Sequence, residues 1–240
     1  MAVIPANSSP LFGADPLILA VDTTHEFGSL ALLRGERALE EVTLHSPSGF
    51  AHVIYGHLAA LLERCAVKLE SIDCFAAASG PGSFTGVRVG LACVKGLAEA
   101  LGRPAVAVSN LQAMAMFGNA PLRAVALDAR RGEIYGAVYD ANGDLASPEV
   151  VTKLETWLAS IAALFSKGDL EFLSTDFTLF GEAPTAAGFA DAPLITVPHA
   201  LAAAIARVAL ARFLRGETCD PAAIDANYVR RSDAELFWKE

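Results

Sequence analysis

An apolar strand that ends in aspartate and then turns back as a hairpin occurs twice in this chain, and no other feature constrains its fold as strongly. The first copy, Leu17 to Asp22, is followed by a second apolar run at residues 29–33. About a hundred residues later, Arg123 to Asp128 has the same form, and residues 133–139 return after a turn of two arginines and a glycine. Apolar runs separated by turn residues are typical of β-hairpins. The repeat therefore predicts an internal duplication.

Segments with helical periodicity lie between and after these hairpins. In residues 51–65 the apolar side chains form two stripes at helical spacing, which lie on neighbouring faces of one α-helix. The pattern predicts further helices at residues 83–101, 110–117, 154–165 and 200–215, and further strands at 38–44, 73–79, 105–108 and near 177–180. Strands that alternate with helices favour an α/β fold with two related lobes.

Breaks in composition divide the chain into four predicted parts. Prolines and small polar residues interrupt any period in residues 1–16, which predicts a flexible N-terminal tail. The duplication predicts a first lobe at 17–120 and a second at 121–215, and the polar residues 216–240 are expected to pack back on the first lobe. The most apolar stretch, residues 192–214, contains Pro198, His199, Arg207 and Arg212, so it favours a buried helix over a membrane span.

Charge and cysteine content exclude several classes of protein. The 240 residues carry 18 Lys and Arg against 27 Asp and Glu, a net charge of −9, which disfavours nucleic-acid binding by the chain alone. A hydrophobic content of 53% excludes a disordered chain. Cys65, Cys74, Cys93 and Cys219 lack the spacing of a zinc site or a disulfide framework, and no secretion signal is evident. We therefore expect a reducing, cytoplasmic location.

A glycine-rich turn joins the strand at 73–79 to the next helix. It reads Ser-Gly-Pro-Gly-Ser-Phe-Thr-Gly-Val-Arg-Val-Gly at residues 79–90. Such a turn can point backbone N–H groups at an anion, near the positive end of the helix dipole. It lacks the Gly-Lys-Ser/Thr ending of a Walker A loop. Two interpretations stay open: a phosphate site, or glycines that only allow positive φ angles and close packing.

The helix after this turn carries a stripe of small residues, Gly86, Gly90 and Cys93, beside a stripe that includes Arg88 and Lys95. Small residues leave room for a second helix, and charged residues among apolar neighbours favour a partner surface. The alternative is a solvated edge whose long side chains extend to water. With the second stripe of the preceding helix, the pattern predicts a partner interface. Its residues are Tyr55, Ala59, Leu62, Ser83, Phe84, Thr85, Gly86, Arg88, Gly90, Cys93 and Lys95.

Few residues offer a catalytic or metal-binding arrangement. His52 and His57 are five residues apart, about 140° around a helix, whereas two ligands of one metal lie four apart. Ser83 lies outside the G-x-S-x-G pattern of a serine hydrolase. Asp22 and Asp128 end apolar strands, where α/β proteins place their sites, but aspartates there also cap hairpins. We expect no catalytic residue and no metal site.

Four motifs carry a resemblance to a known family. They are LAVDTT at residues 19–24, SGPGSFTGVRVG at 79–90, ALDARRGEIY at 126–135 and YVR at 228–230. In this order, and across nearly the whole chain after residue 16, they resemble the TsaB (YeaZ) family, to which the GPGSFTG stretch is highly specific. The resemblance implies the actin/hexokinase/Hsp70-like (ASKHA, ribonuclease H-like) fold with two duplicated lobes, in agreement with the repeated hairpin.

The resemblance also implies a function. Members of this glycoprotease-like family belong to the bacterial complex that forms N6-threonylcarbamoyladenosine at position 37 of tRNAs that read ANN codons. Within it the subunit is a non-catalytic scaffold and activator of its catalytic relative TsaD, with the ATPase TsaE as a further partner and with tRNA bound only through the complex. The free protein is implied to form a homodimer through a surface that overlaps the TsaD site.

The hairpin turns depart from those of the ATP-binding members of this fold, which use an Asp-x-Gly turn so that the backbone can approach phosphates. Here Thr24 stands in the first turn and Ala129-Arg130 in the second. We therefore expect Asp22-Thr23-Thr24 and Asp128-Ala129-Arg130 to be vestigial phosphate turns filled by side chains, and no cofactor to bind. The alternatives are a stand-alone peptidase or ATPase of the same fold, and a self-associating structural protein.

Overall fold

The strands form two five-stranded sheets in the computed structural model, which describes residues 15–178 and 180–230. The first sheet contains β1 (Leu17–Asp22), β2 (Phe27–Arg34), β3 (Arg37–His45), β4 (Cys74–Ala78) and β5 (Ala105–Val108). The second contains β6 (Leu122–Arg130), β7 (Glu133–Asp140), β8 (Leu145–Thr152), β9 (Leu170–Ser174) and β10 (Leu194–Thr196). All but the last two residues of the predicted N-terminal tail lie outside the described residues.

The two sheets have the same topology. The strand order is β3-β2-β1-β4-β5 in the first sheet and β8-β7-β6-β9-β10 in the second. In each sheet the first three strands pair as antiparallel hairpins, and the last two strands run parallel to the first. This repeated order confirms the predicted duplication and the α/β fold class with two related lobes.

Helices cover both sheets. In the described residues they are α1 (Ile54–Arg64), α2 (Phe84–Leu101), α3 (Asn110–Ala115), α4 (Leu154–Leu164), α5 (Ala183–Ala186) and α6 (Ala202–Leu214). α1 and α2 pack on the outer face of the first sheet, around Leu61 and Phe75. α4 and α5 pack on the outer face of the second, around Trp157 and Phe172. The inner faces are left for α3 and α6.

The inner faces of the two sheets share one core with α3 and α6. α6 follows the second sheet in the chain but packs on β1 and β2 of the first. Conversely, α3 follows the first sheet and packs on β6 and β7 of the second. The two halves thus exchange their inner helices: each strand lies within its predicted lobe range, but these two helices contact the sheet of the other half.

The first turn of α6 is capped by side chains of the first sheet. Ser29 Oγ on β2 accepts hydrogen bonds from the N–H groups of Leu201 and Ala202 at 3.1 and 3.0 Å. Glu41 on β3 accepts from the N–H of Ala203 at 2.8 Å. The first N–H groups of a helix have no partner within it, so these contacts satisfy them. Burial raises the pKa of the Glu41 carboxyl, and the bond from Ala203 opposes that shift.

The strands of the second half differ from the sequence prediction. Residues 145–152 form β8, which the sequence did not predict because none of its side chains is fully buried. The strand predicted near 177–180 is wrong: the described residues there form a turn, and the rings of Phe177 and Phe180 lie 4.9 Å apart. Phe180 also packs on Phe172 of β9, so these apolar residues fill the core without belonging to a strand.

The segment after α6 returns to the first lobe. Cys219 forms an isolated antiparallel bridge with Ala105 of β5, and Ile224 is buried in the core beneath α1 and α2. Residues 231–240 lie outside the described part of the chain. Within that part, no helix has both the length and the apolar character needed to cross a membrane.

Candidate functional site

The turn between β1 and β2 is closed by a buried network of polar side chains. Asp22 Oδ1 accepts hydrogen bonds from the backbone N–H of Thr24 at 2.9 Å and from its hydroxyl at 2.6 Å. Asn110, at the start of α3, donates from Nδ2 to Thr24 Oγ1 at 2.8 Å and to Asp22 Oδ2 at 3.5 Å. All three side chains are buried. Both oxygens of the Asp22 carboxylate therefore face internal donors.

The glycine-rich turn uses its backbone N–H groups inside the chain. Gly80 donates to Asn110 Oδ1 at 3.1 Å, Ser83 donates to the carbonyl of Thr24 at 2.7 Å, and Gly86 donates to Ser83 Oγ at 3.3 Å. Ser83 is the N-cap of α2. An anion at this helix terminus would have to compete with these bonds. The geometry thus favours the packing interpretation of the glycines over a phosphate site.

Gly86 and Gly90 face this closed turn rather than the surface. A Cβ on Gly86 would lie 2.1 Å from the carbonyl oxygen of Thr23, and a Cβ on Gly90 would lie 2.7 Å from Thr23 Oγ1. The third member of the stripe, Cys93, is buried. The interpretation that this stripe leaves room for a partner's helix is therefore wrong, because the same chain already fills the space.

The turn between β6 and β7 is more open. Asp128 Oδ1 accepts a hydrogen bond from the backbone N–H of Arg130 at 2.7 Å, and the Arg130 guanidinium lies 3.6 Å from Asp128 Oδ2. Arg130 and Arg131 both have positive φ angles, 65° and 58°. Ala129 is buried, but the side chain of Arg130 is 87% exposed. The expectation that Arg130 fills this turn is wrong, since its side chain lies in solvent beside Asp128.

A cleft of about 540 Å³ separates the two turns. Residues 24–27, Gly82 and Ser83 form its first-lobe wall, and residues 127–130 and Tyr135 form the opposite wall. Of the six residues predicted as vestigial phosphate turns, four line the cleft: Thr24, Asp128, Ala129 and Arg130. Asp22 and Thr23 are buried behind the first wall.

His25 also lines the cleft. Burial lowers the pKa of its imidazole, the carboxylate of Asp22 opposes that shift, and His199 and Arg130 add to it. Nδ1 of His25 lies 3.0 Å from Thr24 Oγ1. Because the Thr24 hydroxyl already donates its proton to Asp22, it accepts from His25, which assigns the proton of the neutral ring to Nδ1.

The outer surface of α1 and α2 carries exposed aromatic side chains. Tyr55 on α1 is 57% exposed and Phe84 on α2 is 47% exposed. The neighbouring Cys93 thiol on α2 raises the pKa of the Tyr55 hydroxyl on α1, and burial adds to this shift. The guanidinium of Arg88 stacks 3.7 Å from the centre of the Phe84 ring, and Ala59 is exposed beside Tyr55 on α1. Both helices thus carry exposed aromatic side chains.

The other predicted interface residues divide by burial. Ser83 and Thr85 are exposed at the start of α2. Leu62 is buried in the core of its own lobe, so it contributes nothing to the surface. Lys95 is partly buried, and its Nζ donates to the carbonyl of Ala222 at 3.4 Å, in the segment after α6.

The histidines and cysteines stand apart. His52 lies just before α1 and His57 lies on it, and both are exposed. Over residues 15–178 and 180–230, no three His, Cys, Asp or Glu side chains are grouped as the ligands of a metal would be. Burial raises the pKa of Cys74 to about 12 and that of Cys93 to about 11, so both thiols are protonated near neutral pH.

Comparison with known proteins relates this chain to tRNA modification. A family model, described as TsaD, tRNA N6-adenosine threonylcarbamoyltransferase, matches residues 48–217, more than half of the chain. The tRNA threonylcarbamoyladenosine biosynthesis protein TsaB of Bacillus subtilis is 32% identical over 146 residues, which are 59% of this chain and 64% of that protein. TsaB of Escherichia coli is 37% identical over 132 residues, 52% of this chain and 57% of that protein. The matched part thus spans somewhat more than half the length of these curated relatives.

A solved structure extends the likeness over both lobes. It is that of a Pseudomonas aeruginosa protein described as similar to the peptidase YeaZ, with a TM-score of 0.73 and 29% identity, and it covers 90% of this chain and 100% of its own. The chain belongs to the TsaB (YeaZ) family. The four motifs of the sequence had predicted this membership. The matching TsaD model starts before α1 and ends beyond α6, so this TsaB-family chain resembles the transferase in both lobes.

The sequence analysis of this TsaB-family chain did not identify two residues near the cleft: Asn110, which supports the first wall, and His25, which lines it. Asn110 is fully buried and joins Asp22, Thr24 and Gly80. Its position directly after an apolar strand and an N-cap serine was the available signal. His25 adjoins the first motif but is isolated among histidines in the sequence, and only the fold brings it near His199.

Proposed function

We propose that this chain takes part in the biosynthesis of threonylcarbamoyladenosine in tRNA as a non-catalytic subunit that docks on a TsaD-type transferase. The observation that carries the proposal is the exposed aromatic surface of α1 and α2, in a chain of the TsaB (YeaZ) family. Exposed apolar patches on a folded protein indicate partner surfaces, and Tyr, Phe and Arg are enriched at the centres of interfaces.

The corrected docking surface consists of side chains that reach solvent. Tyr55 and Ala59 contribute from α1, and Phe84, Thr85 and Arg88 contribute from α2. The glycine stripe and Leu62 support this surface from within and do not belong to it. In the absence of the transferase, the same surface pairs two copies of the chain, so that homodimer and complex compete.

The state of the two turns supports a non-catalytic role. Asp22 is fully engaged by Thr24 and Asn110, and the N–H groups of Gly80, Ser83 and Gly86 donate inside the chain. In this proposal the chain needs no cofactor, the transferase supplies the catalytic site, TsaE supplies the ATPase, and tRNA is bound through the complex. A peptidase or an ATPase of the same fold would need catalytic groups that are free to meet a substrate.

The test combines binding and activity with the TsaD of the same organism. The double variant Tyr55→Asp with Ala59→Asp places unpaired charge in the proposed joint, and buried unpaired charge costs about 3–5 kcal/mol. We expect binding at least about a hundredfold weaker by titration calorimetry, and loss of threonylcarbamoyl transfer to tRNA. The wild-type chain without TsaD is expected to give no transfer.

The control is Leu164→Asp with Leu214→Asp, which introduces the same two charges at leucines that are each 67% exposed, at the ends of α4 and α6. It should bind and activate TsaD as the wild type does. Circular dichroism confirms that each variant is folded. If the α1 double variant binds TsaD as tightly as this control does, the docking surface lies elsewhere.

A further inference from the structure

The segment of residues 219–230 is fixed on the first lobe at its start. Cys219 exchanges two backbone hydrogen bonds with Ala105 of β5, each 3.0 Å long. Pro221 and Ile224 are buried, and Ile224 belongs to the core beneath α2. This segment therefore begins as a built part of the first lobe.

Asn227 is the point at which the segment contacts both lobes. Its backbone N–H donates to the carbonyl of Ser79, at the end of β4, at 2.7 Å. Its side-chain Nδ2 donates to Glu149 Oε2 on β8 of the second sheet at 2.5 Å. The Glu149 carboxylate also accepts from the hydroxyls of Tyr139 and Ser109, so it is held in place from both lobes.

Tyr228 binds the first turn of α2. Its hydroxyl accepts a hydrogen bond from Arg88 Nε at 3.0 Å, and its ring lies 5.9 Å from that of Phe84. Arg88 stacks on Phe84 at 3.7 Å, so the guanidinium contacts two aromatic rings. Phe84 directly follows Ser83, which lines the first-lobe wall of the cleft.

Arg230 binds the second lobe two residues later. It forms an ion pair with Glu133 at the start of β7, and its guanidinium lies 5.8 Å from the ring of Tyr135. Tyr135 lines the opposite wall of the cleft. The sequence motif at residues 228–230 therefore joins an element of one wall to an element of the other.

We propose that residues 227–230 form a clasp that holds the two walls of the cleft at a fixed separation and orders the first turn of α2. The other contacts between the halves in the described residues include the shared inner core, on which α3 and α6 pack, and the hydrogen bond from Ser109 to Glu149. Short loops and helix ends open locally when few contacts hold them. Tyr228 and Arg230 are separated by one residue, so loss of the contacts of either one weakens those of the other. A movement of the second lobe therefore changes the order of the first turn of α2. This inference does not depend on the identity of any docking partner.

Hydrogen exchange measured by mass spectrometry on the full chain tests the clasp. Arg230→Ala removes contacts to the second lobe only, yet we expect exchange to rise about fivefold or more both in residues 83–90 of α2 and in residues 128–135 of the β6–β7 hairpin. Tyr228→Ala removes contacts to the first lobe only and should give the same two changes. Exchange in α4 should stay as in the wild type.

Arg215→Ala is the matched control, because Arg215 pairs with exposed Glu217 in the same part of the chain. It should leave hydrogen exchange unchanged in residues 83–90 and in residues 128–135. Glu133→Gln removes the ion pair with Arg230 by a change in the second lobe and leaves residues 227–230 unaltered. It tests the same prediction if a variant within residues 227–230 fails to fold. If each substitution raises exchange only in the segment that the replaced side chain contacts, or if exchange rises in neither segment, there is no clasp.

Discussion

At the scale of residues, Thr24 accounts for the closed first turn. Its hydroxyl donates to Asp22 and accepts from Asn110, and its carbonyl accepts from the N–H of Ser83. A glycine here would leave the buried Asp22 and Asn110 without their shared partner, and unsatisfied buried polar groups cost about 1–3 kcal/mol each. The side chain is thus part of the structure and does more than block a ligand.

His25 predicts how stability depends on pH. Its pKa in the folded chain is lowered from 6.5, first by burial. When the pH falls through about 6.5, the unfolded chain binds this proton before the folded chain does, so stability is lost in the acidic direction. His25→Asn cannot titrate and can still donate to Thr24. Its free energy of unfolding, measured by urea titration, should fall less than that of the wild type between about pH 7 and pH 5.

The control for this prediction is His57→Asn, which replaces an exposed histidine on α1. It should retain the pH dependence of the wild type. Equal slopes for His25→Asn and the wild type would show that His25 takes up its proton equally easily in the folded and unfolded states.

At the scale of elements, α2 contains glycines of opposite kinds. Gly86 and Gly90 allow the helix to lie against the turn at Thr23, whereas nothing lies within 4 Å of a Cβ placed on Gly96. In the sequence all three are glycines within one predicted helix, and residue type alone does not separate a packing role from a surface role. The contact with Thr23 decides it.

Alanine substitutions in α2 should therefore have opposite effects. Gly86→Ala would place Cβ 2.1 Å from a backbone oxygen, so we expect a loss of about 3 kcal/mol or more in the free energy of unfolding. Gly96→Ala adds a methyl group in open space and replaces a poor helix former, so a gain of about 0.5–1 kcal/mol is expected. Urea unfolding of both variants measures the difference. A Gly86→Ala variant as stable as Gly96→Ala would contradict the packing of α2 on this turn.

At the scale of the whole molecule, the exchange of α3 and α6 makes the two halves one cooperative unit. α6 packs on the first sheet, and its N-terminus is capped there by Ser29 and Glu41. Neither cap could be inferred from the residues before α6, because Leu201 occupies the N-cap position and has no side-chain oxygen. A defect in the first sheet should therefore destabilise the last helix of the chain.

Ser29→Ala tests this coupling between the halves. It leaves the buried N–H groups of Leu201 and Ala202 without their acceptor, for an expected loss of about 1–3 kcal/mol. Unfolding followed by circular dichroism should remain a single transition, since the halves share one core. Ser166→Ala, at an exposed serine, should change stability by less than about 0.5 kcal/mol. Separate transitions for the two halves would contradict the shared core.

The sequence predicted much of the fold because its strongest signals are local. The Asp-ended hairpins and the helices α1, α2, α4 and α6 all appear at or near their predicted positions. The second half was predicted less well. β8 lacks the buried face that produces alternation, and Phe177 and Phe180 are apolar because they fill the core under a turn. Hydrophobicity reports burial, and it does not by itself distinguish a strand from a packed loop.

The sequence by itself determined the duplication, the family and the pair of helices that carry the exposed aromatic residues, because repeats, motifs and helical periods are written along one chain. Only the tertiary structure decided which face of α2 is inside, which sheet α6 covers, and that Asn110 and Arg230 contact residues of the cleft walls. Those facts depend on contacts between residues up to about 170 positions apart, such as Ser29 with Ala202. No local pattern encodes such a contact, since each partner is compatible with many neighbours until the packing of the whole core selects one.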